Sequence, residues 1–293
     1  MIEVTPAFAA VLEERHGEAG LAWASGLPAM VAGLCGRWGL VVDGAPMTGH
    51  LALVIPVLRG RERCALRLAA LDGSAVHEAR ALRRWAGRGT VLLLEDDPES
   101  GAMLLERLDS ARSLATLPID EAMRVAGGLI RTLAIPGADG FPTVNELATR
   151  IRGAVPEAWE RLGRPMPRRL VDGALDAAAS LPVNEARMVD WDLWDENVLA
   201  GSRLPWTVID PKVAVGPPEF GVAQLLWRRV DEMSGPTDLR RCIAILIDAA
   251  GLDAEQTRGW AVVRLVDYWL WALGIGLTED PVRCAALLDW FGA

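Results

Sequence analysis

The first clear pattern of apolar positions along the chain is helical. Between residues 18 and 40, apolar side chains recur in a broken stripe, mostly at three- and four-residue intervals from Leu21 to Leu34. The segment ends in Gly36 and Gly39, and glycine ends helices at little conformational cost. The pattern therefore predicts one helix over this segment.

A shorter period, typical of strands, follows the helix. Residues 39–69 contain three β-rich runs separated by glycine, proline and charged residues, as in an antiparallel meander. Ser74 is a candidate cap for a helix over residues 75–87. Two more apolar runs, TVLLLE and AMLLERL, are joined by the turn DDPESG. The pattern predicts a five-stranded antiparallel sheet with one inserted helix.

The pattern becomes helical again after Leu108. Three long segments between residues 119 and 181 place apolar residues at three- and four-residue spacing, and further helices are predicted from Val222 onward. Between them, two short apolar runs flank an acidic stretch. The sequence thus predicts an α+β protein with two lobes, a small sheet lobe at residues 1–108 and a larger, mostly helical lobe at residues 109–293.

Composition narrows the classes of partner. The 39 acidic residues outnumber the 30 basic ones, giving a net charge of -9, which argues against nucleic acid as a partner. Such a balance suits a cationic small molecule. The basic residues include a single lysine, Lys212, so any chemistry that needs another cation must use arginine.

Cysteine spacing and the N-terminal residues bear on location. The four cysteines lie far apart with no C-x-x-C pair, which favours reduced thiols over a disulfide or zinc site. We find no signal-like N-terminus and no window of about 18 uncharged apolar residues. We therefore expect a cytoplasmic protein without a membrane partner, whose oligomeric state the sequence leaves open.

The densest polar cluster in an apolar setting is the run DWDLWDEN at residues 190–197, which Asp210 follows at the end of a strand-like run. Hard oxygen ligands of this kind suit Mg²⁺. Phosphoryl transfer also needs a carboxylate that accepts a proton from the substrate hydroxyl. Asp192, Asn197 and Asp210 would fill these roles, with Asp192 as the base. The alternative is a solvated turn rich in Asp and Asn.

Several long segments resemble a known family. They include LLLEDDPESGAMLLERLDSARSLATL, MVDWDLWDENVLA, WTVIDPKVAVGPPEFGVAQLL and GWAVVRLV. Together with GLAWASGLPAMV near the N-terminus, they resemble the aminoglycoside and hydroxyurea phosphotransferases over nearly the whole chain. The resemblance implies the protein-kinase-like fold and a kinase that uses ATP and Mg²⁺.

The resemblance also implies roles for individual residues. Asp192 is expected to be the catalytic base, and Asn197 and Asp210 are expected to be the Mg²⁺ ligands. Glu106 and Leu108 bound the hinge whose backbone would hold adenine, and the turn at residues 44–49 would lie over the phosphates. The implied acceptor is a hydroxyl of an aminoglycoside-like antibiotic, streptomycin or a relative, so that the activity would give antibiotic resistance.

The sequence departs from the family at three positions. Arg67 stands where the family has a nucleotide-binding lysine, and it can pair with Glu78 on the following helix. The alternative is that Glu78 is only a solvated helix residue. Asp190 stands where relatives have histidine, and Gly221 where many have an aspartate that braces the catalytic loop. We hypothesise that Asp190 provides part of this bracing through hydrogen bonds within the loop.

Weaker candidates complete the predicted site. Asp190, Trp194, Glu219 and Asp231 are candidate substrate contacts, although core packing is the alternative for any of the tryptophans. Lys212 is either close to phosphate or an exposed surface residue. Two other functions stay open: a kinase-like protein that binds nucleotide or drug without turnover, and a kinase for hydroxyurea or a biosynthetic intermediate.

Overall fold

The computed structural model describes residues 2, 4–49, 51–69, 74–184 and 186–292, with only the backbone described at residues 74 and 75. It separates into two compact units, Met1–Leu108 and Asp109–Ala293. The predicted capping role of the Ser74 side chain lies outside what is described.

The first unit combines helices with an antiparallel sheet. Its elements are α1 (Pro6–His16), α2 (Glu18–Trp38), β1 (Leu40–Val42), β2 (Met47–Thr48), β3 (Ala52–Arg59), β4 (Glu62–Ala69), α3 (Ser74–Trp85), β5 (Leu93–Asp97) and β6 (Ala102–Glu106). The strand order is β1-β3-β4-β6-β5, and β2 also pairs with β3. The helix α1 was not predicted, whereas α2 ends at Gly39 in the left-handed conformation expected of a helix-ending glycine.

The sheet has six strands where the sequence predicts five. The additional strand is β2, which lies within the turn predicted at residues 44–49, and residues 43–46 bulge away from β3 between β1 and β2. Pro56 of β3 lies opposite this bulge, and its carbonyl accepts the N–H of Asp43 at 2.8 Å. Since proline has no N–H to offer on that side, an interruption of the ladder loses little there.

The core of this unit is built from side chains that are buried at every second position of a strand. Leu53, Ile55 and Val57 alternate with more exposed neighbours along β3 and face a core that also contains Leu66 of β4 and Leu27 of α2. Burying each such side chain stabilises the fold by about 1.5–3 kcal/mol.

The helix α2 is long and apolar enough to cross a membrane by length and composition alone. Our expectation that no such window exists was therefore wrong, since residues 19–36 carry no charge. One face of the helix, including Trp23, Val31 and Leu34, is buried in the core of the first unit. The buried share of the apolar window is 33%, so the helix packs by one face.

The second unit is mostly helical. Its helices are α4 (Ile119–Leu133), α5 (Val144–Arg161), α6 (Arg168–Ser180), α7 (Ala223–Arg228), α8 (Pro236–Ala250), α9 (Ala254–Gly274) and α10 (Glu279–Phe291). Its strands are β7 (Asp109–Ser113), β8 (Arg187–Asp190), β9 (Val198–Ala200), β10 (Thr207–Val208) and β11 (Val213–Gly216). They form one sheet in the order β10-β9-β7 and a separate β8–β11 pair. The strand β7 was not predicted from the sequence.

Helices α4 and α8 approach closely at Gly127. A Cβ at Gly127 would lie 2.7 Å from the Cβ of Ala249 and 2.8 Å from the carbonyl oxygen of Leu246. The adjacent Gly128 has open space, since a Cβ at this position would meet nothing within 4 Å. The two glycines therefore offer a matched test of this packing.

We expect Gly127→Ala to lower the free energy of unfolding by about 1–3 kcal/mol, because the added methyl group overpacks the contact between α4 and α8. Gly128→Ala should raise it by about 0.5–1 kcal/mol, because alanine loses less conformational entropy in a helix. Urea denaturation followed by circular dichroism measures both changes. Equal stabilities for the two variants would contradict this account of the packing.

Candidate active site

A two-stranded ladder positions the acidic loop. Asp190, the last residue of β8, is paired with Val213 of β11. The N–H of Trp191 extends the ladder by donating to the carbonyl of Lys212 at 2.9 Å. The ladder therefore holds the chain just before Asp192 beside the chain just after Asp210.

A second ladder brings the predicted metal ligands together. β9 and β10 pair Val198 with Val208, and the N–H of Ile209 donates to the carbonyl of Asn197 at 2.8 Å. Asp210 follows directly in a left-handed backbone conformation, with φ of 49°. Asn197, just before β9, and Asp210, just after β10, thus lie at the same end of this ladder. An amide and a carboxylate oxygen fit the donor chemistry of Mg²⁺, which binds proteins through few ligands and keeps oxygens from phosphate or water.

Lys212 lies close to this pair of residues. Its Nζ is 3.4 Å from Oδ1 of Asp210, and both side chains are partly exposed. Lys212 therefore lies beside the carboxylate that is the predicted metal ligand.

Asp190 is buried, with 5% of its surface exposed. Its Oδ1 accepts the N–H groups of Asp192 at 3.2 Å and Lys212 at 3.0 Å, which confirms the predicted hydrogen bonds within the loop. Burial, and secondarily the charge of Asp192, raises the pKa of Asp190 well above its ordinary value. This placement argues against the predicted contact between Asp190 and substrate.

Close packing explains the absence of an acid at position 221. The 3-10 turn Pro218–Gly221 packs so closely against β8 that a Cβ at Gly221 would lie 2.4 Å from the carbonyl oxygen of Asp190. No aspartate fits at position 221 in this arrangement, so the hydrogen bonds of the loop come from Asp190.

Asp192 is partly buried among groups of both signs. Burial raises the pKa of its carboxyl group, while the positive charges of Arg264 and Lys212 and a hydrogen bond with Gln224 act in the opposite direction. A carboxylate with a raised pKa is a better proton acceptor than an exposed aspartate. The environment therefore suits a general base.

The contacts of Arg264 and Gln224 were missed by the sequence analysis. Arg264 is buried, and its guanidinium lies over the rings of Trp191 at 5.0 Å and Phe220 at 5.1 Å. The signal available in the sequence was one polar residue interrupting each of two apolar helical runs, at Gln224 in VAQLLW and at Arg264 in AVVRLV.

The remaining substrate candidates lie in different settings. Trp194 is partly buried, and the guanidinium of Arg228 lies over its ring, 4.2 Å from the centroid. Glu219 is buried, and its Oε1 accepts the N–H of Asp253 at 3.0 Å, at the start of α9. That position argues against the predicted substrate contact of Glu219. Asp231 is exposed and forms an ion pair with Arg283 at 2.6 Å.

The first unit contains the predicted pair of Arg67 and Glu78. Nη1 of Arg67 lies 2.9 Å from Oε2 of Glu78, and both side chains are buried, which confirms the predicted ion pair. Arg67 comes from β4 and Glu78 from α3, so the pair ties the helix to the sheet. An opposite charge at this distance offsets part of the cost of burying both groups.

The predicted hinge and turn also lie in this unit. Glu106 ends β6, and its carboxylate accepts the N–H of Leu92 at 2.8 Å. Leu108 is the last residue of the unit. Of the turn predicted at residues 44–49, Gly49 alone belongs to the hairpin turn, where its N–H donates to the carbonyl of Ala52 at 2.8 Å. The rest forms the bulge and β2, and His50 lies outside the described residues.

Comparison with known proteins places these features in a family. The family model for aminoglycoside/hydroxyurea antibiotic resistance kinases matches residues 37–276. Streptomycin 6-kinase of Streptomyces glaucescens is 38% identical over 291 residues, covering 96% of this chain and 94% of that protein. Hydroxyurea phosphotransferase of Kitasatospora aureofaciens is 38% identical over 298 residues, covering 99% and 86%.

Solved structures agree on the fold. The crystal structure of aminoglycoside phosphotransferase APH(4)-Ia is similar with a TM-score of 0.65 at 18% identity, covering 91% of this chain and 99% of that one. Choline kinase LicA from Streptococcus pneumoniae has a TM-score of 0.56 at 12% identity, covering 90% and 99%. The sheet unit followed by a helical unit is thus the protein-kinase-like architecture. With the family model covering most of its length, the chain belongs to the aminoglycoside/hydroxyurea antibiotic resistance kinases.

Proposed function

We propose that this protein transfers the γ-phosphoryl group of ATP to a hydroxyl of an aminoglycoside-like antibiotic, with streptomycin as the first candidate. The observation that carries the proposal is the convergence of Asp192 with Asn197 and Asp210 through two short ladders. Relatives at 38% identity are a streptomycin 6-kinase and a hydroxyurea phosphotransferase. A solved structure of the same fold is a ternary complex with ADP and hygromycin B.

In this proposal Asp192 accepts or orients the proton of the attacking hydroxyl. Its raised pKa favours proton transfer, and Gln224 holds the carboxylate by a hydrogen bond. Asn197 and Asp210 would hold Mg²⁺. When bound, the ion supplies positive charge that offsets the negative charge of the phosphate oxygens.

The first unit would bind the nucleotide. Arg67 is the candidate phosphate contact, and its ion pair with Glu78 fixes the guanidinium. Arginine keeps the charge of the lysine that the family carries and presents a planar fork to phosphate oxygens. The backbone between Glu106 and Leu108 would hold adenine, and the substrate would be a cation that suits the acidic protein.

A kinase-like protein without turnover is the second candidate function. The specific observation that favours it is Arg67 itself, because a guanidinium does not reproduce the compact point charge of lysine. The two candidates predict different products from the same incubation.

We expect incubation with streptomycin, ATP and Mg²⁺ to add the mass of one phosphoryl group to the antibiotic, as measured by mass spectrometry. Asp210→Ala should abolish the product, because it removes a carboxylate ligand of the metal. Asp172→Ala is the matched control, since Asp172 is an exposed carboxylate paired with Arg168 on α6. Hydroxyurea, assayed in parallel, tests the other acceptor. Nucleotide binding without a phosphorylated product would favour the binding protein over the kinase.

Substitutions of the buried pair test the nucleotide site. Arg67→Met should lower stability by about 3–5 kcal/mol, because it leaves the Glu78 carboxylate buried without this cation. Arg67→Met combined with Glu78→Gln should recover much of that stability while KM for ATP stays raised by about tenfold or more. Arg67→Lys should retain turnover. Thermal unfolding and steady-state kinetics separate the two effects, and an unchanged KM for ATP in the double variant would exclude Arg67 as a phosphate contact.

A further inference from the structure

A single peptide unit, the one joining Trp191 to Asp192, is bound at both of its polar atoms by buried side chains. Nη2 of Arg264 donates to the carbonyl of Trp191 at 3.4 Å. At the other end, the N–H of Asp192 donates to Oδ1 of Asp190 at 3.2 Å. The peptide unit that precedes the proposed base is thus held from two sides.

Each of the two side chains is itself fixed by other contacts. The Arg264 guanidinium lies over the faces of Trp191 and Phe220, and its Nη1 lies 3.6 Å from Oδ2 of Asp267, on the same helix. The carboxylate of Asp190 also accepts the N–H of Lys212 at 3.0 Å. Arg264 therefore connects the peptide to α9, and Asp190 connects it to the residue just before β11.

Both groups are costly to keep in these positions. Asp190 is 5% exposed and Arg264 is 7% exposed, and burying charged groups opposes folding unless they are well compensated. Apolar residues of similar volume often stabilise a core as well or better. A contribution to stability is therefore a weak explanation for an acidic and a basic side chain on the two sides of one peptide unit.

We infer that Asp190 and Arg264 are positioning residues that clamp the Trp191–Asp192 peptide and so fix the direction of the Asp192 carboxylate. The inference rests on the proposed role of Asp192 as the base. Rotation of this peptide unit would swing the side chain of Asp192 away from the acceptor hydroxyl. A displacement of about 1 Å at a reacting group can cost about 100-fold in rate.

The kinetic test compares single and double variants. We expect Asp190→Ala and Arg264→Met each to lower kcat by about 10- to 100-fold while both KM values change by less than about threefold. The double variant should fall less than about threefold below the worse single variant, because either change already releases the peptide. Asp190→Asn should retain most of kcat, since its amide oxygen accepts the same two N–H groups.

Matched controls separate positioning from general damage to the fold. Asp280→Asn alters a buried carboxylate that accepts the hydroxyl of Tyr268 at 2.6 Å. Arg131→Met removes an arginine that donates to the carbonyls of Asp248 and Ala250. Both should lower the melting temperature without the loss of kcat. If Asp190→Ala does not fold, Arg264→Lys carries the test, because lysine keeps the charge but lacks the planar fork, and it should lose about tenfold in kcat.

Amide hydrogen exchange tests the clamp without any activity. Asp190→Ala should speed exchange at the amides of Asp192 and Lys212. Arg264→Met should speed exchange at Asp192 as well, although Arg264 does not bind that amide. An unchanged rate at Asp192 in Arg264→Met, losses of kcat that multiply in the double variant, or a raised KM at unchanged kcat would each overturn the inference. A wild-type protein without turnover would refute the proposed function and leave the exchange test intact.

Discussion

The burial of negative charge around Asp192 is the constraint on which the helical unit depends. Burial raises the pKa of both Asp190 and Asp192, and the charge of Asp192 raises the pKa of Asp190 further. Backbone N–H groups compensate Asp190, whereas Arg264, Lys212 and Gln224 compensate Asp192. A carboxylate that is buried and yet able to ionise has the properties required of a general base at neutral pH.

Short backbone ladders position the residues of the acidic loop. The β8–β11 and β9–β10 pairs are only two to four residues long, yet their registers decide which residues meet. A shift by one residue would turn every side chain of a strand to the opposite face. The close approach of Gly221 to Asp190 fixes the ladder from its other side. The departures from the family at positions 190 and 221 are therefore two parts of one local arrangement.

Much of this could be predicted from the sequence. The order of strand-like and helical periods indicated the architecture, and the resemblance to the family, which has a lysine at position 67, suggested the pairing of Arg67 with Glu78. The catalytic roles of Asp192, Asn197 and Asp210 stay predictions. The strand β2 was not predicted, because the glycines and the proline of residues 44–49 indicated a turn there. The contacts of Arg264 with the loop arise from residues more than 70 positions apart, which no local pattern reveals.

The most direct test of the account is the rate of the chemical step in Asp192→Asn. Single-turnover kinetics with ATP and the acceptor, stopped by rapid quench, measure that rate apart from substrate binding and product release. The account predicts a rate about 100- to 10,000-fold below that of the wild type, with unchanged nucleotide affinity. A rate equal to that of the wild type would contradict the central claim, because the carboxylate of Asp192 would then take no part in phosphoryl transfer.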